Sequence, residues 1–302
     1  MKNEILHIAS ISDYNRLLGI ETLHPLVSVI DFSKAQRIRH SRHSFGFYAL
    51  FLKDVKCGDL IYGRRYYDYQ EGTVVCLAPG QIIGVEDNGE TFQPKGRALC
   101  FHPDLIRGTA LGKSIKEYTY FSYEVSEALH LSQKERTVYL DCLEKINHEL
   151  ENSVDRLSRR LITANIGLLL DYCLRFYERQ FITREVVNHD IYTRFESLLD
   201  DYFDSGKART QGLPTVKMCA SELCLSPNYF GDLIKKETGK TPQEHIRLKL
   251  TDQAKDLILG SDLSISQIAY ELGFQYPQHL TRLFKKTTGL TPNEYKRLNS
   301  VV

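Results

Sequence analysis

Two lysine pairs, Lys235-Lys236 and Lys285-Lys286, recur fifty residues apart, each leading into a Thr-Gly step at Thr238-Gly239 and Thr288-Gly289. Paired ammonium groups repeated at a fixed spacing suit a ligand that itself repeats negative charge. The charge balance agrees: residues 207–302 hold 14 Lys and Arg against 9 Asp and Glu, a net +5, while residues 1–206 carry −4. Other chemistries have weaker claims. His40 and His43 stand three apart, which in a strand sends them to opposite faces, a poor arrangement for one metal. His102 precedes Pro103-Asp104 and reads as a turn residue. The seven cysteines, at 57, 76, 100, 142, 173, 219 and 224, form no CxxC pair and read as reduced thiols. The sequence contains no G-x-S-x-G elbow and no glycine-rich phosphate loop. No enzyme activity, metal or cofactor is expected.

The chain has 302 residues, 25% charged and 42% hydrophobic, the balance of a soluble protein of about two domains. No apolar run reaches the ~18 residues of a membrane span, and the first residues lack a signal peptide's apolar block. No membrane partner and a cytoplasmic location are expected. Residues 1–130 read as short strands, such as FGFYALFL from Phe45 and TVVCL from Thr73, punctuated by turns at Gly58-Asp59, Glu71-Gly72, Pro79-Gly80, Asn88-Gly89 and Lys95-Gly96. This spacing predicts a sandwich or barrel. Its aromatics, Phe45, Phe47, Tyr48, Tyr62, Tyr66, Tyr67 and Tyr69, either line a ligand pocket or fill the core.

Residues 131–203 read as a helical hairpin. Ser132 and Glu135 make a capping box, followed by Tyr139, Cys142, Leu143, Ile146 and Leu150 at helical spacing. After a break at Asn152-Ser153, Leu157, Leu161, Leu168, Tyr172 and Phe176 read as a second stripe. Such stripes either pack on the β domain or form a dimer interface. Residues 204–212 are polar, with two glycines, and read as a linker.

An internal repeat dominates residues 213–302. Val216–Leu225 matches Ile265–Phe274 at an offset of 49, through Ala220 with Ala269 and Glu222-Leu223 with Glu271-Leu272. Pro227–Arg247 matches Pro277–Arg297 at an offset of 50, so the second copy has one extra residue in its turn. Each copy predicts helix, turn, helix. The caps are Thr215 and Ser226 in the first and Ser264 in the second, with Pro227 and Pro277 opening the second helices. Between them a helix opened by Thr241-Pro242-Gln243-Glu244 carries Ile246, Leu250, Ala254, Leu257 and Ile258 on one face. From Pro242 to Leu259 it spans about 27 Å at ~1.5 Å per residue. Two helix-turn-helix units fixed on such a rod suit adjacent major grooves, which recur every ~34 Å. The expectation is an all-α double helix-turn-helix domain that binds double-stranded DNA.

These residues resemble the AraC/XylS family of bacterial transcription regulators. The likeness is carried by Ile268-Ala269, Leu272-Gly273-Phe274, Leu280 through Lys286 (LTRLFKK), Gly289, Pro292 and Tyr295. The resemblance implies an α+β chain: a cupin-like β-barrel sensor (1–130), a helical pair for dimerisation (131–203) and the DNA-binding domain. It also places base-reading side chains at Asn228, Gly231 and Asp232 in the first unit and at Pro277, Gln278, Thr281 and Arg282 in the second. Gln278 and Arg282 suit adenine and guanine edges. Gly231 offers no side chain, and Asp232 repels phosphate unless it accepts from cytosine N4. Lys235, Lys236, Lys285 and Lys286 are then phosphate neighbours, which position without specifying sequence. Metal-binding relatives carry histidine where Ile83 stands here. The implied partners are promoter DNA, a second copy of the chain, RNA polymerase and an unidentified small effector. Activation and repression both remain open. The contrasting reading is a cupin-type enzyme or small-molecule carrier whose helical domain serves another role, or a protein-interaction module.

Overall fold

A computed structural model describes residues 5–39, 41–53, 60–62, 65–67, 72–84, 90–152, 155–183 and 185–299. The chain divides into two compact units, residues 1–183 and 184–302. In chain order the first contains β1 (Ile5–Ile8), α1 (Ile11–Leu18), β2 (Val27–Asp31), β3 (Ile38–Arg39), β4 (Arg42–Phe45), β5 (Tyr48–Lys53), β6 (Leu60–Tyr62), β7 (Arg65–Tyr67) and β8 (Thr73–Leu77). It continues with β9 (Ile82–Gly84), β10 (Thr91–Phe92), β11 (Arg97–Phe101), α2 (Pro103–Ile106), α3 (Ala110–Ser114), β12 (Leu129–His130), α4 (Gln133–Glu151) and α5 (Ser158–Thr183).

The largest sheet is antiparallel, with strand order β12-β8-β5-β11-β2. A three-stranded sheet, β1-β4-β9, shares a core with it through Ile8, Phe45, Ala49, Phe51, Val75 and Leu77. Gly46 links the two sheets. Its N–H donates to Ile8 O at 2.9 Å, and a Cβ there would stand 2.6 Å from Ala9 O, so only glycine fits. Two pairs, β3 with β10 and β6 with β7, complete the strands. The expected closed barrel is not found among the described residues: the large sheet has free edges at β12 and β2.

Phe45 and Phe47 belong to the core, beside Tyr14 at ring separations of 5.1 and 6.0 Å. Tyr48 lies on the opposite face of its sheet, stacked on Phe101 at 5.0 Å. The side chains of Tyr62, Tyr66, Tyr67 and Tyr69 lie outside the described residues, as do His40 and the turns at Gly58-Asp59 and Asn88-Gly89.

Helices α4 and α5 pack on each other as a hairpin. The capping box forms as expected: Glu135 N–H donates to Ser132 Oγ at 3.3 Å and Ser132 N–H to Glu135 Oε2 at 2.7 Å. The same carboxylate receives the Arg179 fork from α5 at 3.0 and 2.8 Å. Burial raises the Glu135 carboxyl, but these donors outweigh it and hold the group below its usual range. The stripe on α5 differs from expectation. Ile162, Ile166, Leu169, Leu170, Cys173 and Phe176 are buried, whereas Leu157, Leu161 and Leu168 are 48%, 44% and 41% exposed. Leu157 lies just before α5, and at 100° per residue Leu161 and Leu168 fall on a neighbouring face of the helix.

Tyr139, fully buried on α4, leaves its hydroxyl without a hydrogen-bond partner among the described residues. Tyr139→Phe is expected to stabilise the chain by about 1–3 kcal/mol, the cost of an unsatisfied buried polar group. Thermal denaturation checks this; a lower melting temperature for the variant contradicts it.

The second unit is all helical: α6 (Glu185–Asp204), α7 (Lys207–Gln211), α8 (Val216–Glu222), α9 (Pro227–Thr238), α10 (Pro242–Gly260), α11 (Ile265–Glu271), α12 (Pro277–Thr288) and α13 (Pro292–Asn299). Two features differ from the sequence reading. Helix α6, placed there in the 131–203 hairpin, packs in this unit on α9, with Phe195 edge-on to Phe230 at 5.0 Å. The segment 204–212, read as a linker, contains α7. Tyr202 Oη donates to Gly212 O at 2.9 Å, and buried Ala208 anchors the turn of helix.

Candidate nucleic-acid interface

The repeat folds twice in the same way. Each first helix is capped by a hydroxyl: Met218 N–H donates to Thr215 Oγ1 at 3.1 Å, and Gln267 N–H to Ser264 Oγ at 3.3 Å. Each carries a fully buried alanine, Ala220 or Ala269, whose small size lets the second helix cross closely. Each turn closes by the same backbone bond, Leu225 N–H to Ala220 O and Phe274 N–H to Ala269 O, both 2.9 Å. The residue before that donor is left-handed in both: Cys224 at φ 62° and Gly273 at φ 87°.

Both units rest on α10, which packs against α9, α11, α12 and α13. Ile246, Leu250, Ala254 and Ile258 are buried as expected, and Leu257 is half-buried. The Thr241–Glu244 box opens α10, and Lys249 on it pairs with Asp200 of α6. His245, on α10, hydrogen-bonds Thr238 at the end of α9 at 2.8 Å. Burial lowers its pKa, and Lys240 adds to the effect.

The second helices, α9 and α12, present the expected residues on open faces. Asn228, Lys235 and Lys236 of α9 are exposed; Gly231 and Asp232 are half-buried. Gln278, Arg282, Lys285 and Lys286 of α12 are exposed, with Pro277 and Thr281 half-buried. Within each helix these positions fall at i, i+3 and i+4, and so share a side. The lysine pairs occupy the last turns, at the negative ends of the helix dipoles.

The turns open differently onto these faces. Ser226 caps α9, accepting from Tyr229 N–H at 3.2 Å. The extra residue of the second copy puts Tyr276 at the equivalent place, 54% exposed and offering no side-chain cap. Tyr276 stands edge-on to His279 at 5.6 Å, and His279 is exposed where the first copy buries Tyr229. Sequence reasoning missed His279 and Tyr276 as members of this surface. The change of offset from 49 to 50 is the signal that could have found them.

His102 and His43 make other contacts. His102 caps α2, its Nδ1 accepting from Asp104 N–H at 3.2 Å. His43 lies 2.9 Å from Ser41 Oγ, and burial lowers its pKa. No group of three His, Cys, Asp or Glu among the described residues is placed to hold a metal ion.

Comparisons with known proteins point to the same part of the chain. A family model described as "Helix-turn-helix domain" matches residues 219–298. An uncharacterized HTH-type transcriptional regulator of Escherichia coli K12, YijO, is 25% identical over 229 residues, 75% of this chain and 76% of its own. YobQ of Bacillus subtilis, likewise described as an uncharacterized HTH-type transcriptional regulator, is 33% identical over 70 residues, 23% of this chain and 29% of its own. Among solved structures, the C-terminal domain of AraT, a response regulator from Geobacillus stearothermophilus, is 27% identical. It covers 36% of this chain and 85% of its own at a TM-score of 0.32. No helix among the described residues is long and apolar enough to cross a membrane. The repeat, its caps and turns, and the family match together make residues 219–298 a helix-turn-helix domain of the AraC type.

Proposed function

We propose that this chain is a sequence-specific transcription regulator that reads two successive major grooves of double-stranded promoter DNA. One observation carries the reading: the two helix-turn-helix units share one rod, α10, and both second helices keep polar and basic side chains on open faces. Asn228, Gly231 and Asp232 of α9 and Pro277, Gln278, Thr281 and Arg282 of α12 face base edges in this account. Lys235, Lys236, Lys285 and Lys286 lie near phosphates. The work is binding, and no catalytic residue is assigned.

The first unit is the sensor in this reading, a cupin-like fold that takes an unidentified small effector. An effector acts only through unequal affinity for two states of the protein. The regulator works in the cytoplasm, either holding RNA polymerase near a promoter or blocking it. It acts as a homodimer. The exposed leucines Leu161 and Leu168 of α5, with Leu157 just before it, support pairing, because an apolar face of this kind is stabilised by leaving water. Leu161→Lys combined with Leu168→Lys is therefore expected to shift the chain to monomer in sedimentation equilibrium. An unchanged dimer moves the interface elsewhere.

Selection of genomic fragments by the purified full chain at one fixed salt concentration tests the main reading. Salt must be fixed because non-specific binding is largely counterion release. Enrichment of a few promoter fragments with a shared motif is expected. Uniform binding that vanishes as salt rises contradicts it.

A further inference from the structure

The glycine in the middle of α9 has no structural reason to be there. Gly231 has no left-handed backbone, unlike Gly239 at the end of the same helix. A Cβ built at Gly231 meets nothing within 4 Å. The contrast with Gly112 and Gly273 is sharp: there a Cβ would fall 2.1 Å from Ile106 O and 2.5 Å from Ala208 O. Glycine is among the least favourable residues inside a helix, so at Gly231 the fold bears a cost for which neither packing nor backbone geometry compensates. Glycine's remaining physical use is to let another molecule approach the backbone closely.

The position is set by the repeat. Gly231 corresponds to Thr281 of α12, and it lies on the side of α9 that carries Asn228 and Lys235. Resting on the DNA-binding reading above, we infer that Gly231 is the point where α9 seats its backbone directly against the DNA. The first helix then sits deeper in its groove than a helix with a side chain there. Depth matters for the next residue, since Asp232 is short. An aspartate reaches cytosine N4 only from a helix that lies close to the base edges. The two units thus divide the work: α9 docks by backbone proximity, and α12 reads with long side chains.

The test sets stability against binding in one variant. In the full chain, Gly231→Ala should raise the melting temperature, by roughly 2–4 °C. The same variant should bind the genomic fragment enriched by the wild-type chain about tenfold more weakly. Gly231→Leu, which projects further from the same Cβ, should lose more affinity than the alanine variant. Opposite signs of the two effects, graded with side-chain size, support close approach. A more stable Gly231→Ala with unchanged affinity overturns the inference and leaves the regulator reading intact. A wild-type chain that enriches no fragment overturns both.

Discussion

Replacing Arg282 by alanine is expected to weaken binding to the selected promoter fragment by roughly 5- to 150-fold, a loss of about 1–3 kcal/mol. The size follows from chemistry. Arg282 is exposed on the open side of α12, one turn beyond Gln278. A guanidinium can make two parallel hydrogen bonds to one guanine edge, and Arg282 is the one arginine in either second helix. Preference at one base-pair position should relax at the same time. Lys286→Ala offers the contrast. It should weaken binding evenly across sequences and lower the salt slope by about one. Equilibrium binding to fragments altered one base pair at a time measures both. An Arg282→Ala variant with unchanged affinity and unchanged base preference would remove α12 from the reading surface.

The second large effect concerns the fold. Gly273→Ala is expected to destabilise the second unit by about 2–4 kcal/mol. Alanine at φ 87° bears the left-handed penalty, and its Cβ would sit 2.5 Å from Ala208 O and 2.8 Å from Gly212 C. Those atoms belong to α7 and its end, so the turn of the second helix-turn-helix and α7 cannot both stay in place. Cys224 is the matching site in the first copy, held at φ 62° with a side chain. Cys224→Gly should therefore stabilise, by about 1 kcal/mol. Chemical denaturation of the two variants reads opposite signs from equivalent positions. Destabilisation by Cys224→Gly would show that the thiol makes a contact worth more than the backbone strain.

The helix-turn-helix units were legible because their signals are local and occur twice. Thr215, Ser226 and Ser264 cap within three residues, and Gly273 stops a helix by its own backbone geometry. The apolar face of α10 was legible for the same reason, since its period is its own. The role of α6 was hidden, because Phe195 finds Phe230 across a long stretch of chain and no local pattern announces it. Composition misleads at 204–212, where two glycines flank α7, polar residues form its exposed side and its buried side rests on Ala208 alone. Leucine spacing points to Leu157, Leu161 and Leu168, whereas on α5 Ile162, Ile166 and Cys173 face the interior. Leucine count is a poor guide on a helix with two apolar faces. The sheets in the first unit depend on non-local pairing, such as the parallel match of β1 with β4, which alternation cannot predict. In the interface, Gln278 and Arg282 were visible through their chemistry. Tyr276 and His279 were not, because the inserted residue that exposes them looked like a mere change of register.

In the proposed mode of binding, one chain places two helices in two successive major grooves. Hydroxyl-radical footprinting of the selected fragment by the purified full chain is the decisive experiment. Two protected patches on one face of the duplex, about 10 base pairs apart, are expected for each protomer. A single protected groove per protomer, or protection that does not repeat with the helical turn, would contradict that mode of binding.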